Sequence, residues 1–140
     1  MTQTVRDVMT PGPVTVAPDA TLIDAAQQMR DKDIGDVLVV DLDGHLRGIV
    51  TDRDIVVRAL ADGREARVTM VGDVCSPDPV SVAPDDDVER AVDMMRGKAV
   101  RRLPVVENGR LVGVVSLGDM AIERDPQSAL GQISAAAENN

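Results

Sequence analysis

The chain has 140 residues and contains no phenylalanine, tyrosine or tryptophan. Its core must therefore be built from Val, Ile, Leu, Ala and Met, and it cannot hold a nucleic-acid base by stacking on an aromatic ring. Sulfur and imidazole are scarce too: Cys75 is the one cysteine and His45 the one histidine. A single thiol excludes an internal disulfide and fits a reducing compartment. One Cys and one His cannot fill a zinc site without carboxylates or a second subunit, so no metal site is read. No apolar run approaches the ~20 residues that cross a bilayer. The opening Met1-Thr2-Gln3-Thr4-Val5-Arg6-Asp7 lacks the apolar core of a signal peptide. The reading is a cytoplasmic protein with no membrane partner. Basic residues are outnumbered, 15 against 24 acidic ones, for a formal charge of -9. That balance repels a phosphate backbone and argues against DNA or RNA. A small anion remains admissible where basic groups cluster.

What is present is written twice. Val5-Arg6-Asp7-Val8-Met9-Thr10-Pro11 returns as Val71-Gly72-Asp73-Val74-Cys75-Ser76-Pro77. Val14-Thr15-Val16-Ala17-Pro18-Asp19 returns as Val80-Ser81-Val82-Ala83-Pro84-Asp85. The match runs on through Met29-Arg30 with Met95-Arg96 and Val39-Val40 with Val105-Val106. One residue is then dropped, after which Gly44, Leu46, Gly48, Val50 and Asp54 match Gly109, Leu111, Gly113, Val115 and Asp119. Such a period marks a tandem duplication. The division is residues 1–63 for the first repeat, 64–70 for a linker, 71–125 for the second repeat and 126–140 for an Ala- and Ser-rich tail.

Each copy follows one plan, β-α-β-β-α after an opening turn, which is an α/β (α+β) pattern. The opening helical turns lie near Val5–Met9 and Met70–Cys75, with Thr4 and Thr69 as caps. Prolines break them, and short strands follow at Val14–Val16 and Val80–Val82. A long helix begins after Thr21, with Asp24 completing a capping box. Its apolar face is Leu22, Ala25, Ala26 and Met29, the helical spacing. The second copy uses Asp87 as cap and Val88, Ala91, Val92 and Met95 as face. A hairpin comes next, turning at Asp43-Gly44 in one copy and Asn108-Gly109 in the other. The last helix of the first copy runs from about Asp52 to Ala61 and stops at Gly63.

The chain is organised around Gly48-Ile49-Val50-Thr51-Asp52-Arg53-Asp54 and its second version, Gly113-Val114-Val115-Ser116-Leu117-Gly118-Asp119. A buried strand runs directly into a helix, and a hydroxyl and a carboxylate recur three residues apart. The plain structural reading of Thr51 and Asp54 is a capping box that binds nothing. A vicinal diol, however, offers two donors that one carboxylate accepts, and the start of a helix favours an anion by ~0.3–1 kcal/mol.

These residues resemble a paired CBS-domain protein, or Bateman module. The resemblance is carried by Asp7-Val8-Met9-Thr10-Pro11, Val14–Asp19, Arg101-Arg102-Leu103-Pro104-Val105-Val106 and the Gly48–Asp54 corner, and it spans about residues 5–124. The layout is similar to small stand-alone actinobacterial CBS-pair proteins, including those of the hypoxic-response type. The resemblance implies tandem CBS repeats with small sheets, packed pseudo-symmetrically into one module, and a homodimer formed through helices. It also implies a regulatory module that holds AMP, ADP, ATP or S-adenosylmethionine in clefts between the repeats. Carried over to this chain, Asp54 and Asp119 take the ribose hydroxyls, and Thr51 and Ser116 reach ribose or phosphate. Backbone groups at Gly35, Asp36 and Val37, and at Arg101, Arg102 and Leu103, read the adenine edge. Thr15 and Ser81 line the base pocket with Val14 and Val80.

Arg53 and the Arg101-Arg102 pair are the phosphate candidates, with a solvated charged face as their plain reading. The copies depart from one another here: Gly35-Asp36 stands where the second has Arg101-Arg102, Leu38 where it has Pro104, and Arg53 where it has Gly118. The two sites should therefore differ. His45 is read as a solvated turn residue and Cys75, which aligns with Met9, as packing. No nucleophile-base constellation stands out, so the reading is a non-enzyme with no catalytic residues. The competing reading is a structural or protein-interaction scaffold with vestigial nucleotide sites. The regulated partner protein is not written in the sequence.

Overall fold

A computed structural model of the chain describes residues 3–77 and 79–118. Asp119, the second copy's final helix and the tail lie outside the described residues. Two compact units divide the chain. One is residues 14–79. The other joins the segment up to Pro13 to the chain from Val80 onward.

In the 14–79 unit, β2 (Thr15–Val16) leads to α2 (Leu22–Lys32), then to the hairpin of β3 (Asp36–Val40) and β4 (Leu46–Thr51). α3 (Asp52–Asp54) follows at once and widens into a π-helical turn, Ile55–Leu60. β5 (Ser76–Pro77) closes a four-stranded sheet in the order β2-β3-β4-β5. The other unit contains α1 (Val5–Val8), β1 (Thr10–Pro11), α4 (Val88–Lys98), β6 (Arg102–Glu107) and β7 (Arg110–Ser116). Its sheet order is β1-β7-β6.

The opening segment of each repeat belongs to the body of the other. Val5 N–H donates to Asp86 O and Arg6 N–H to Pro84 O, at 2.8 and 2.9 Å. The second copy reciprocates at the same positions: Val71 N–H donates to Ala20 O and Gly72 N–H to Pro18 O, at the same 2.8 and 2.9 Å. β1 then pairs with β7, setting Pro11 opposite Gly113, and β5 pairs with β4, setting Pro77 opposite Gly48. Those two glycines are needed for the close approach. A Cβ on Gly48 would meet Ser76 O at 2.7 Å and Cys75 Sγ at 2.8 Å. A Cβ on Gly113 would meet Met9 Sδ at 2.8 Å and Thr10 O at 2.9 Å.

The cores repeat position by position. Leu22, Ala25, Met29, Val37, Val39, Val50 and Val71 are buried together in one unit. Val88, Ala91, Met95, Leu103, Val105, Val115 and Val5 are their counterparts in the other. The helix–strand pair Leu22/Val37 becomes Val88/Leu103, so each core holds one Leu and one Val at these positions. Total volume is kept while the larger side chain moves from helix to strand, the kind of exchange that cores tolerate best.

Several local expectations change. Ala26 is exposed and Val92 only half-buried, so each helix buries the narrower stripe of its first, fourth and eighth residues. Asp87 occupies the cap position of α4 without a side-chain bond, and Val88 N–H reaches Gln3 O instead. Thr69 does not cap the second opening turn. Its hydroxyl donates to Glu65 O at 2.7 Å, Met70 takes the cap position, and the turn is 3-10 rather than α (Val71–Asp73). The strand expected at Val80–Val82 shrinks to a bridge between Val82 and Val105. Pro104 explains this: its counterpart Leu38 donates its N–H to Val14 O at 3.3 Å, and proline has no N–H to give Val80. The hairpin turns form as expected, with Asn108 at φ 55° and Gly109 at φ 81°, the left-handed pair of a type I′ turn.

Candidate functional site

The strand-to-helix corner of the 14–79 unit is fixed by four short hydrogen bonds. Thr51 is the N-cap of α3. Asp54 N–H donates to Thr51 Oγ1 at 3.0 Å, and Thr51 N–H donates to Asp54 Oδ2 at 3.0 Å. Asp52 N–H donates to Gly35 O at 3.0 Å, tying the corner to the residue before β3. Arg53 N–H donates to Asp52 Oδ1 at 2.8 Å. Register places Asp36 directly opposite Thr51 and Val37 opposite Val50. Val37 sends its side chain into the core, so only its backbone can face a ligand. Thr15, exposed on β2, pairs with Leu38 in the same sheet.

The Asp54 carboxylate is 16% exposed, and its second oxygen stands 3.9 Å from Arg58 Nε. Arg58 also donates to Val74 O at 3.3 Å. In these bonds the Thr51 hydroxyl accepts, which leaves its own proton to donate. One carboxylate oxygen and one hydroxyl proton are thus the groups that the corner can offer a polyol. The Arg53 side chain is exposed.

The other unit repeats the strand side of this corner as far as Gly118, the last described residue. Leu117 N–H donates to Arg101 O at 2.8 Å, the counterpart of the Asp52–Gly35 bond. Arg102 stands opposite Ser116 and Leu103 opposite Val115. Ser116 is buried, at 4% exposure, and Leu103 and Pro104 are buried beside it. Ser81 is half-buried next to Val82, whose N–H donates to Pro104 O at 3.1 Å.

Outside these corners, Cys75 and Asp41 are among the groups whose acidities are perturbed. Burial pushes the Cys75 thiol above its ordinary range, and the Asp54 and Asp73 carboxylates push the same way against a backbone hydrogen bond and Arg58. A thiol held protonated is a packing group and a poor nucleophile. Asp41 lies in the first hairpin turn. Its carboxylate accepts the N–H groups of His45 and Asp43 at 3.0 and 2.9 Å and Arg47 Nε at 2.7 Å. The His45 N–H, then Arg47 and Asp43, hold it below the usual carboxylate range against the opposing effect of desolvation. Asp41, Asp43 and His45 bring ligand atoms within 4.8 Å of one another. His45, expected to be a solvated turn residue, falls in this grouping, and the Asp-x-Asp-x-His spacing is its signal in the sequence. Asp41 is already committed to Arg47 and to the turn.

Residues 5–60 and 71–124 both match the CBS domain family. The chain belongs to the CBS-domain family. As a CBS pair it is similar to the CBS domain-containing protein YhcV of Bacillus subtilis, 39% identical over 127 residues, which cover 91% of this chain and 89% of that one. The hypoxic response protein 1 of Mycobacterium tuberculosis is 36% identical over 118 residues, 84% of this chain and 82% of the relative. A crystal structure of Hypoxic Response Protein I with two coordinated zinc ions superposes with a TM-score of 0.79 at 36% identity, covering 85% of this chain and 97% of that one. CBSX2, solved in complex with AMP, gives a TM-score of 0.76 at 29% identity, over 86% and 95% of the two chains. Among the described residues, no helix of this CBS pair is long and apolar enough to cross a membrane.

Proposed function

We propose that this CBS pair is a non-catalytic regulatory module that binds adenosine nucleotides at its strand-to-helix corners. The observation that carries the reading is the Thr51–Asp54 pair. Its hydroxyl and carboxylate are held 3.0 Å from each other's backbone N–H, which fixes both side chains before any ligand arrives and lowers the ordering cost of binding. Asp54 takes the ribose diol, Thr51 the ribose or phosphate oxygen, and the backbone of Gly35 to Val37 the adenine edge. Ser116, Asp119 and Arg101 to Leu103 do the same in the second copy, with Thr15 and Ser81 beside the base. The AMP complex of CBSX2 supports AMP as the first ligand to try. Binding that differs between two shapes of the module would shift its population and its contacts with a regulated protein.

The proposal includes a homodimer. The helical turn after the first corner exposes Val56, Val57 and Leu60, at 54, 48 and 69%, an apolar stripe suited to a second copy. Sedimentation of the native chain beside Leu60→Glu tests it: a dimer that becomes a monomer supports the stripe as the interface.

One observation favours the scaffold reading. The same Thr-x-x-Asp arrangement starts α1 at Thr4/Asp7 and α2 at Thr21/Asp24, with Thr21 N–H 3.0 Å from Asp24 Oδ2. The pair can therefore exist purely to begin a helix. Calorimetric titration with AMP, ATP and S-adenosylmethionine separates the readings when Asp54→Ala and Asp119→Ala are run beside Asp24→Ala. Saturable binding lost in a corner variant and kept in Asp24→Ala supports the sensor. No heat with any of the three, on folded protein, removes these ligands and leaves the scaffold.

A further inference from the structure

At their described positions the two corners share their backbone pairing and differ in charge. Asp36 and Arg102 occupy one register position, each directly across the antiparallel pair from the corner hydroxyl, Thr51 or Ser116. Directly opposed residues hold their Cβ atoms ~4.5–5.5 Å apart, so these two side chains are the nearest cross-strand charges to the hydroxyl. The matched bonds from Asp52 N–H to Gly35 O and from Leu117 N–H to Arg101 O show that the equivalence is structural. The flanking positions change with them. The first corner adds Asp52, exposed and within 3.3 Å of where a Gly35 Cβ would lie. The second has Leu117 in place of Asp52, Gly118 in place of Arg53, and Arg101 in place of Gly35.

All charges near the first corner bear on the sign. Asp36, Asp52 and Asp54 are set against Arg53 and Arg58. Arg58 already stands by Asp54 and donates to Val74 O. Arg53 has its own N–H on the Asp52 carboxylate and its side chain in solvent. At the matched described positions of the second corner the charged side chains are Arg101 and Arg102.

Resting on the adenosine reading above, we propose that the two corners sort adenosine ligands by the charge on the 5′ substituent. The first takes an uncharged or cationic one, a nucleoside, thioether or sulfonium. The second takes a 5′-phosphate. A phosphate brought to Asp36 and Asp52 meets like charge, and one brought to Arg101 and Arg102 meets guanidinium donors that suit it geometrically. The module would then read two ligand pools through one fold.

The test is a residue-resolved NMR titration of the full chain with AMP, adenosine and S-adenosylmethionine, repeated on Asp36→Asn, Arg102→Gln and Arg53→Ala. The expected result is that AMP shifts the Arg101–Leu103 amides at a Kd about tenfold below that for Gly35–Val37, the equivalent of ~1.4 kcal/mol. S-Adenosylmethionine is expected to reverse that order. Arg102→Gln should weaken AMP at the second corner about tenfold and leave adenosine there unchanged, which also shows that the variant is folded. Asp36→Asn should tighten AMP at the first corner. Added salt should weaken AMP and not adenosine. Equal AMP affinity at the two corners, or AMP loss at the first corner in Arg53→Ala, overturns the charge sorting while leaving the adenosine reading in place. Adenosine and AMP both failing to bind folded protein overturns the adenosine reading and the sorting with it.

Discussion

The 14–79 unit and its counterpart are one design executed with different side chains. Where both must do the same mechanical work, the chemistry is conserved within the chain or compensated. Gly48 and Gly113 admit the other repeat's opening strand, and Leu22/Val37 trades volume against Val88/Leu103. Where the two could serve different ligands, the chemistry diverges without compensation: Asp36 against Arg102, Asp52 against Leu117, Arg53 against Gly118. The difference teaches that the frame is under a packing constraint and that the corner surface is not.

The largest effect should come from forcing the strand difference. Leu38→Pro removes the N–H that bonds Val14 O and deletes a side chain that is 4% exposed. Urea unfolding should show a loss of about 3–5 kcal/mol. The reverse change, Pro104→Leu, should leave stability within about 1 kcal/mol and slow amide exchange at residue 104 as it joins Val80. A β2-like strand absent from that variant would break the explanation from proline.

Next come the two glycines. Gly48→Ala and Gly113→Ala should each cost about 1–3 kcal/mol through overpacking. Gly48→Ala should be the worse, because its nearest obstacle is the Ser76 carbonyl, whereas Gly113 first meets the flexible Met9 side chain. Equal and negligible losses would mean that the opening strands are not held where the register places them.

The volume exchange is a cycle. Leu22→Val alone should cost about 1 kcal/mol and Val37→Leu alone about 1–3 kcal/mol. The double variant, which copies the other core, should lose less than their sum by at least ~0.5 kcal/mol. Simple additivity would show that the two cores keep their volume independently at each position.

The smallest effect separates the hairpins. Asp41 is held below its ordinary acidity by the N–H groups it accepts and by Arg47. Its contribution is therefore full above the unfolded carboxylate value of ~3.9 and is lost as pH falls through the lower folded value. Amide exchange at Asp43 and His45 should accelerate below about pH 4, and the Asn108–Gly109 turn, which rests on backbone conformation, should change less.

Much of this was legible in the chain. The duplication, α2 with its Thr21–Asp24 box, both hairpins and the Thr51–Asp54 pair are set by local spacing and turn chemistry, and each forms. The exchange of opening strands was not foreseen, because Thr10-Pro11 and Ser76-Pro77 carry no periodic signal and their partners are far along the chain. Gly48 and Gly113 were the available sign, since a glycine inside a strand marks a close backbone approach. Thr69 suits a cap by residue type alone, but a backbone carbonyl four residues earlier takes its hydroxyl. The shortened second strand followed from Pro104, which the alignment of the copies exposed but whose missing N–H only the register made consequential.

Ligand binding at the corners is tested most directly by a crystal structure grown with AMP. It should show the nucleotide at the second corner, its ribose hydroxyls within about 3 Å of the Asp119 carboxylate and its phosphate on Arg101 or Arg102. A nucleotide bound away from both corners, with the corner carboxylates engaged only in starting their helices, would contradict binding at the corners.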